Sequence, residues 1–296
     1  MDADRIDIET DKDIWPGVHR RRGSQLMTYD LRILSLGAGV QSSALALMCE
    51  RGDLEAPDAA IFADTGAEPQ SVYRWLDQLE AMITRYPIYR VSNGNLYDDA
   101  FIGKTSKLSG KRYTKSMIPF FIKNPDGSQG MLPRKCTSDY KIAPIKRKVR
   151  ELLKAKGGKK VQQWIGISTD EASRMKDSPV KYIDHYYPLI ERNMSRADCL
   201  KYFDDLKLPR PPRSACTFCP YHSDAEWSRL AKDEREDFDK AVQWEKALQE
   251  RIKEWDEVIK GTPFVHPSLV PLDQALFDDR NQLSLFDEEC EGMCGL

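Results

Sequence analysis

Residues 31–39 are predominantly apolar and end in the small-residue stretch Gly37-Ala38-Gly39, after which apolar positions return at helical spacing. This pattern predicts a buried strand over 31–39 and a helix over 41–51. A second strand, Ala59 to Ala63, runs into the polar turn Asp64-Thr65-Gly66-Ala67-Glu68-Pro69. A helix follows, with Val72, Trp75, Leu76 and Leu79 on one face. Ile88 to Val91 reads as a short third strand, 142–156 as a helix, and 161–168 as a fourth strand. Strands alternating with helices predict an α/β fold, a doubly wound parallel sheet with crossover helices. Such sheets bind ligands at the carboxyl ends of their strands. The turns 37–43 and 64–69 both fall at that edge.

Outside this core the pattern changes. Periodicity lapses between 100 and 135. SRADCLKYF reads as a helix capped by Ser195. Helical spacing returns from about 224 to 259, through Trp227, Leu230, Phe238, Trp244, Leu248, Ile252 and Trp255. Pro263 to Pro271 is a loop, and an acidic tail ends in ECEGMCGL. The chain therefore divides into a polar arm (1–28), an α/β domain (29–215) with an insertion at 100–135, and a third part (216–296). That last part holds a cysteine loop, a helical extension and the tail. No internal repeat is visible.

Composition narrows the function classes only slightly. The chain has 296 residues, of which 41% are hydrophobic, enough for a substantial core, and a formal charge of -2. The arm begins with Asp2, Asp4, Asp7, Glu9, Asp11 and Asp13, followed by His19-Arg20-Arg21-Arg22. It lacks the apolar region of a secretory signal, and Met27 is an alternative start. No run is long enough to span a membrane. Seven cysteines, an odd number, without an export signal point to reduced thiols in the cytoplasm. Most of the six tryptophans are expected in the core.

Charge is distributed unevenly. The insertion carries Lys104, Lys107, Lys111, Arg112, Lys115 and Lys123 with no acidic residue from 101 to 125. Residues 134–160 add a further run of Lys and Arg against only Asp139 and Glu151. Part of this is a solvated helix face. Two basic segments beside a ligand edge also suit a polyanion, which makes nucleic acid a candidate partner.

The chemistry-bearing residues cluster in the same places. Gly37-Ala38-Gly39 gives a backbone that turns tightly, and Ser42 and Ser43 follow where a helix begins, so its free amides suit an anion. Asp64 opens the polar turn after the second strand and reads as a turn cap. Cys216-Thr217-Phe218-Cys219-Pro220 spaces two thiols to reach one metal or cluster, with zinc, iron–sulfur and redox readings all open.

In this order, SLGAGVQSS, ADTGAEP, RKCTSDYKIAPI, GISTDEASR and CTFCP resemble the phosphoadenylylsulfate reductase-like branch of the PP-loop ATP pyrophosphatases (adenine nucleotide alpha hydrolases). The DNA phosphorothioation ATPases are relatives of that branch. The resemblance spans 31 to about 220 and implies a Rossmann-like core with a helical C-terminal extension. Where the family's loop reads Ser-Gly-Gly-x-Asp-Ser, this chain has Gly37, Ala38, Gly39, Val40, Gln41 and Ser42, so Gln41 replaces the acid. By resemblance the loop, with Ser42 and Ser43, holds the pyrophosphate part of ATP, and Asp64 lies near the nucleotide or its Mg²⁺. Glu171, Arg174 and Lys141 match the family's charged positions. Arg174 offers a planar fork to phosphate oxygens, and Glu171 orients it.

In the iron–sulfur reductases of the branch, a Cys-Cys pair and a later C-x-x-C ligate a 4Fe–4S cluster. Here Cys136 matches the first of the pair and Thr137 replaces the second, so Cys136, Cys216 and Cys219 carry over. Related sulfur transferases use three cysteines and an open iron to hold hydrosulfide. Cys199 is a candidate fourth ligand or a core residue, and Cys49 is a core residue. The tail cysteines Cys290 and Cys294 are candidates for a reactive thiol pair or for a four-thiolate Zn²⁺ site with the C-x-x-C. His266 is expected to be structural. The resemblance implies ATP-dependent sulfur transfer, by adenylylation and then thiolation, onto a nucleic acid or nucleobase-type substrate. Alternatives are a sulfonucleotide reductase acting through Cys290 and a non-catalytic nucleotide- or nucleic-acid-binding module with structural zinc. The sulfur donor is not named by the sequence, and a homodimer is left open.

Overall fold

The computed structural model describes residues 28–105, 110, 112–114, 118–253 and 261–277. The acidic arm, Lys107, Lys111, Lys115, Trp255, Cys290 and Cys294 lie outside the described residues.

In chain order the first elements are β1 (Leu31–Ser35), α1 (Val40–Arg51), β2 (Ala59–Asp64), α2 (Gln70–Met82), β3 (Ile88–Ser92) and α3 (Leu96–Asp99). Four short strands follow: β4 (Gly103–Thr105), β5 (Arg112–Thr114), β6 (Phe121–Lys123) and β7 (Gln129–Met131). A π-helical segment (Thr137–Ile142) leads into α4 (Ala143–Ala155), β8 (Val161–Trp164) and a 3-10 turn (Thr169–Arg174). Then come β9 (Ile183–Tyr186), α5 (Pro188–Glu191), α6 (Arg196–Asp205), α7 (Asp224–Asp233), α8 (Arg235–Ile252) and β10 (Thr262–Phe264).

The principal sheet has the order β3-β2-β1-β8-β9, and every pairing in it is parallel. The chain steps outward from β1 to β3, then crosses back to place β8 and β9 on the other side of β1. This reversal opens a crevice beyond the carboxyl ends of β1 and β8, where ligands bind in sheets of this kind. The α/β class read from the sequence is the observed one.

Burial explains the elements. α1 is buried from Val40 to Cys49, because it lies between the sheet and the neighbouring α6. It ends at Gly52, whose φ of 86° is the left-handed conformation that glycine accepts cheaply. α2 buries Val72, Trp75, Leu76 and Leu79, the i, i+3, i+4, i+7 stripe of an amphipathic helix. α6 starts with a capping box, in which the Ser195 hydroxyl accepts from the Asp198 amide while the Asp198 carboxylate accepts from the Ser195 amide.

A second core joins parts of the chain that are distant in sequence. Leu96, Ile118, Phe120 and Ile122 pack with Phe218, Trp227, Phe238, Trp244 and Leu248. The Phe218 and Trp244 rings stack at 3.9 Å and 11°, and β10 pairs antiparallel with β6. The insertion and the C-terminal extension therefore build one lobe together.

Several boundaries differ from the sequence-based expectation. The first and fourth strands end at Ser35 and Trp164, and the following residues form the loops at the crevice. The helix expected over 224–259 is two helices, α7 and α8, broken at Glu234 (φ -132°, ψ 53°). Glu234 takes an ion pair from Arg229 and a hydrogen bond from the Ser71 hydroxyl, so the break docks onto α2. The periodicity gave no sign of β9 or the short strands. Among the described residues no helix is long and apolar enough to cross a membrane.

Candidate functional site

The loop between β1 and α1 is held by its own side chains. Ser42 Oγ accepts from the Gly37 amide at 3.2 Å and donates to the Gly39 carbonyl at 3.5 Å. Ser43 Oγ accepts from Trp75 Nε1 at 2.9 Å. Both serines are fully buried, so their hydroxyls shape the loop and tie it to α2. Ala38 sits at φ 60°, a conformation costly for a residue with a Cβ and typical of strained ligand loops. The first turn of α1 carries no acidic residue, so its amides offer an unopposed positive helix end to the loop.

Gln41 spans the crevice. Its amide nitrogen donates to Glu171 Oε2 at 3.1 Å and to Ser168 Oγ at 3.4 Å, while its carbonyl accepts from Arg196 Nη1 at 3.0 Å. Glu171 in turn pairs with Arg174 at 2.6 Å. The loop after β1, the 3-10 turn after β8 and the start of α6 are thereby tied together through Gln41, with the guanidinium groups of Arg174 and Arg196 in the same network. An aspartate at position 41 is too short to span this gap. A carboxylate there also brings like charge toward Glu171.

The turn after β2 carries the second group. Asp64 Oδ1 accepts from the Gly66 amide and from the Tyr73 hydroxyl, each at 2.8 Å. Burial, and next the bond to Asp64, push the Tyr73 phenol well up, which keeps it a donor. Gly66 has φ 72°, and a Cβ there lies 2.8 Å from the Asn95 side chain, so the turn requires glycine on both counts. Two residues on, Glu68 forms a buried ion pair with Lys141 at 3.2 Å.

This turn is also joined to the cysteine loop. The Thr217 amide donates to the Ala67 carbonyl at 2.8 Å, and Thr65 Oγ1 lies 3.5 Å from Cys216 Sγ. Cys136, Cys216 and Cys219 border one small cavity that opens to solvent, together with Thr65, Thr137 and Lys141. The Cys219 amide donates to the Cys216 carbonyl at 2.9 Å, closing the C-x-x-C turn. His222 Nε2 also meets that carbonyl at 2.9 Å. Burial holds His222 down to about 4, so its ring is neutral and this nitrogen carries the donated proton. Part of Cys216 faces the cavity, yet burial pushes its thiol well up, Glu68 adds to this, and Lys141 opposes it. A metal that binds here must displace that proton.

Among the described residues, no three His, Cys, Asp or Glu side chains converge on one metal-ion position. The three cysteines that border the cavity are soft donors of the kind that would hold zinc or an iron–sulfur group. The hydroxyl of Thr137 is buried in the same cavity wall with no hydrogen-bond partner among the described residues.

Other sequence candidates lie elsewhere. Cys199 is fully buried on α6 in the core shared with α1, and the structure does not bring it to the other three cysteines. That core accounts for its apolar position in a helix. Cys49 lies in the same core, and burial pushes its thiol up to about 12. None of the described cysteines forms a disulfide. His266 is bonded to Asp224 and Ser268 and is structural. Lys141 lines the thiol cavity. On α4, Arg147, Arg150 and Lys154 are exposed at i, i+3, i+7 spacing, with Glu151 between them on the same face. Sequence reasoning missed Arg196, Thr65 and Glu68. Ser195 as a cap signalled that Arg196 opens a helix, but its partner Gln41 is far away in sequence.

No family model matches the chain, and no curated protein matches it. Among solved structures, the chain is similar to the phosphoadenylyl-sulfate (PAPS) reductase from Candida auris in its phosphate complex. The two share 16% identity over 62% of this chain and 76% of that chain, with a TM-score of 0.36.

Proposed function

We infer that the protein is an ATP pyrophosphatase that activates an oxygen on a nucleic acid or nucleobase-type substrate and exchanges it for sulfur. The observation that carries this reading is the shared wall between the two halves of the site. Thr65, just past β2, meets Cys216 at 3.5 Å, and Lys141 joins Glu68 of the same turn to the thiol cavity. An anion-binding crevice and a thiol-lined cavity set side by side suit two consecutive steps on one substrate group.

In the first step the substrate oxygen attacks the α-phosphorus of ATP, the bond to the bridging oxygen breaks, and pyrophosphate leaves. The first-turn amides of α1 and the guanidinium groups of Arg174 and Arg196 offset the charge that develops. Asp64 offers a carboxylate oxygen to the Mg²⁺ that accompanies ATP. In the second step a sulfide-level nucleophile of the hydrosulfide class attacks the carbon that bears the adenylylated oxygen. The C–S bond forms, the C–O bond breaks, AMP departs with the original oxygen, and the sulfur gives up its proton to solvent. A 4Fe–4S cluster held by Cys136, Cys216 and Cys219, when bound, supplies the place where that sulfur is kept. The apolar walls around these thiols, Leu96, Ile118 and Phe218 among them, limit the access of water. The exposed side chains of Arg147, Arg150 and Lys154 offer positive charge to a phosphate backbone.

The test is pyrophosphate release from ATP by anaerobically prepared protein, with bulk transfer RNA and then duplex DNA as probes. Release that depends on a nucleic acid and is lost in Arg174→Ala supports the reading. ATP binding without release across both probes favours a binding module. Sulfite release from phosphoadenylylsulfate with thioredoxin, without ATP, favours a reductase.

A further inference from the structure

The proposed steps leave two side chains at the mouth of the thiol cavity without a role. Arg134 lies two residues before Cys136 and Tyr221 two residues after Cys219, so the segments that carry the thiols also carry this pair. The Arg134 guanidinium sits over the Tyr221 ring, 4.9 Å from its centroid, a cation–π contact. Both residues border the cavity, beside Pro119 and Pro220. The Tyr221 hydroxyl meets the sulfur of Met131 at 4.0 Å, and Met131 is 43% exposed. Arg134 is exposed and Tyr221 half-buried. The cavity therefore opens onto a rim made of a guanidinium, an aromatic ring and a thioether.

Such a rim favours a flat ligand. A phosphate uses only the charge and gains nothing from the ring or the thioether. A nucleobase stacks on an aromatic ring or a guanidinium plane, and its exocyclic oxygens accept from guanidinium donors. Behind the rim the small cavity is walled by Leu96, Ile118 and Phe218, and it takes the edge of one base rather than a base pair. A paired base has that edge turned to its partner and must leave the stack first.

We propose that Arg134 and Tyr221, with Met131 beside the ring, form a platform for one unpaired nucleobase at the mouth of the thiol cavity. This deepens the proposed function, on which it rests, by making the substrate a base in a single-stranded or looped stretch of nucleic acid. Arg134 and Tyr221 are binding and specificity residues, and the chemistry stays with the groups already described.

The test measures affinity by calorimetry on the anaerobically prepared full chain. The probes are a short single-stranded RNA, single-stranded DNA of the same sequence, and inorganic polyphosphate, which carries the charge without the bases. Tyr221→Leu is expected to bind a single strand about tenfold more weakly, and Tyr221→Phe to bind it like wild type. Arg134→Lys, which keeps the charge and loses the plane, is expected to weaken the strand about fivefold. Polyphosphate affinity is expected to be the same in all four proteins. The strand that shows these losses, RNA or DNA, identifies the sugar of the substrate. Equal strand affinity in wild type and Tyr221→Leu overturns the platform. An equal loss for strand and polyphosphate also overturns it and marks a phosphate site instead. Should Tyr221→Leu not fold, Arg134→Lys, at an exposed position, decides by the same two criteria. A wild type that binds neither strand overturns the nucleic-acid reading and the platform together.

Discussion

The hydroxyl of Thr65 lies 3.5 Å from the thiol of Cys216, although 151 positions separate them in sequence. Thr65 belongs to the turn after β2, at the edge where an α/β sheet takes its ligand, and Cys216 opens the C-x-x-C loop. Thr65 also accepts from the Ala67 amide at 3.3 Å and donates to Glu68 at 3.4 Å, so one hydroxyl links the ligand edge, the buried ion pair and the thiol cavity.

The Lys141–Glu68 pair gives the first prediction. Both side chains are buried, with 6% and 1% of their surface exposed. Removing one partner leaves the other charge buried. Lys141→Met is therefore expected to cost about 3–5 kcal/mol of unfolding free energy, measured by urea denaturation. The double variant Lys141→Met, Glu68→Leu is expected to recover most of that loss. A single variant as stable as wild type contradicts the role given to this pair.

Gln41 gives the second. Gln41→Leu removes its bonds to Glu171, Ser168 and Arg196 at a fully buried position. The expected loss is about 1–3 kcal/mol in stability. Binding of a non-hydrolysable ATP analogue, followed by calorimetry, is expected to weaken by about tenfold as Arg174 and Arg196 lose their placement. Unchanged affinity in both Gln41→Leu and Arg196→Ala means the nucleotide does not use this crevice.

How much of this was legible in the sequence follows from where the signal is local. The buried run of β1, the loop Gly37-Ala38-Gly39 and the stripe on α2 are read from neighbouring residues, and the structure has them where the pattern placed them. The strand β9, IDHY, buries only Ile183 well and leaves Asp184, His185 and Tyr186 intermediate, so it has little apolar pattern to read. The break at Glu234 is set by Arg229 and by Ser71, the latter far off in the chain. The union of the insertion with the C-terminal helices depends on Phe218, Trp244 and the β6–β10 pairing, which no local window contains. In the site, the cysteines announce themselves by spacing. The contacts of Gln41 with Arg196 and of Thr65 with Cys216 exist only after folding.

Cys49 gives a prediction about pH. Burial pushes its thiol up to about 12, so at pH 9 the folded protein keeps it as a thiol, and only the thiolate is alkylated rapidly. With iodoacetamide at pH 9, mass spectrometry is expected to find Cys49 unmodified in the native protein and alkylated after denaturation. Reactivity should rise only as pH approaches the raised value or as the fold opens. Rapid native labelling of Cys49 contradicts its place in the core.

The most direct measurement is the iron and acid-labile sulfide content of protein purified without oxygen, on wild type and Cys216→Ala. The account predicts about four irons and four sulfides per chain in wild type, lost in the variant. One tightly held zinc per chain with no sulfide contradicts it, because the cavity of Cys136, Cys216 and Cys219 then has no place to keep the transferred sulfur.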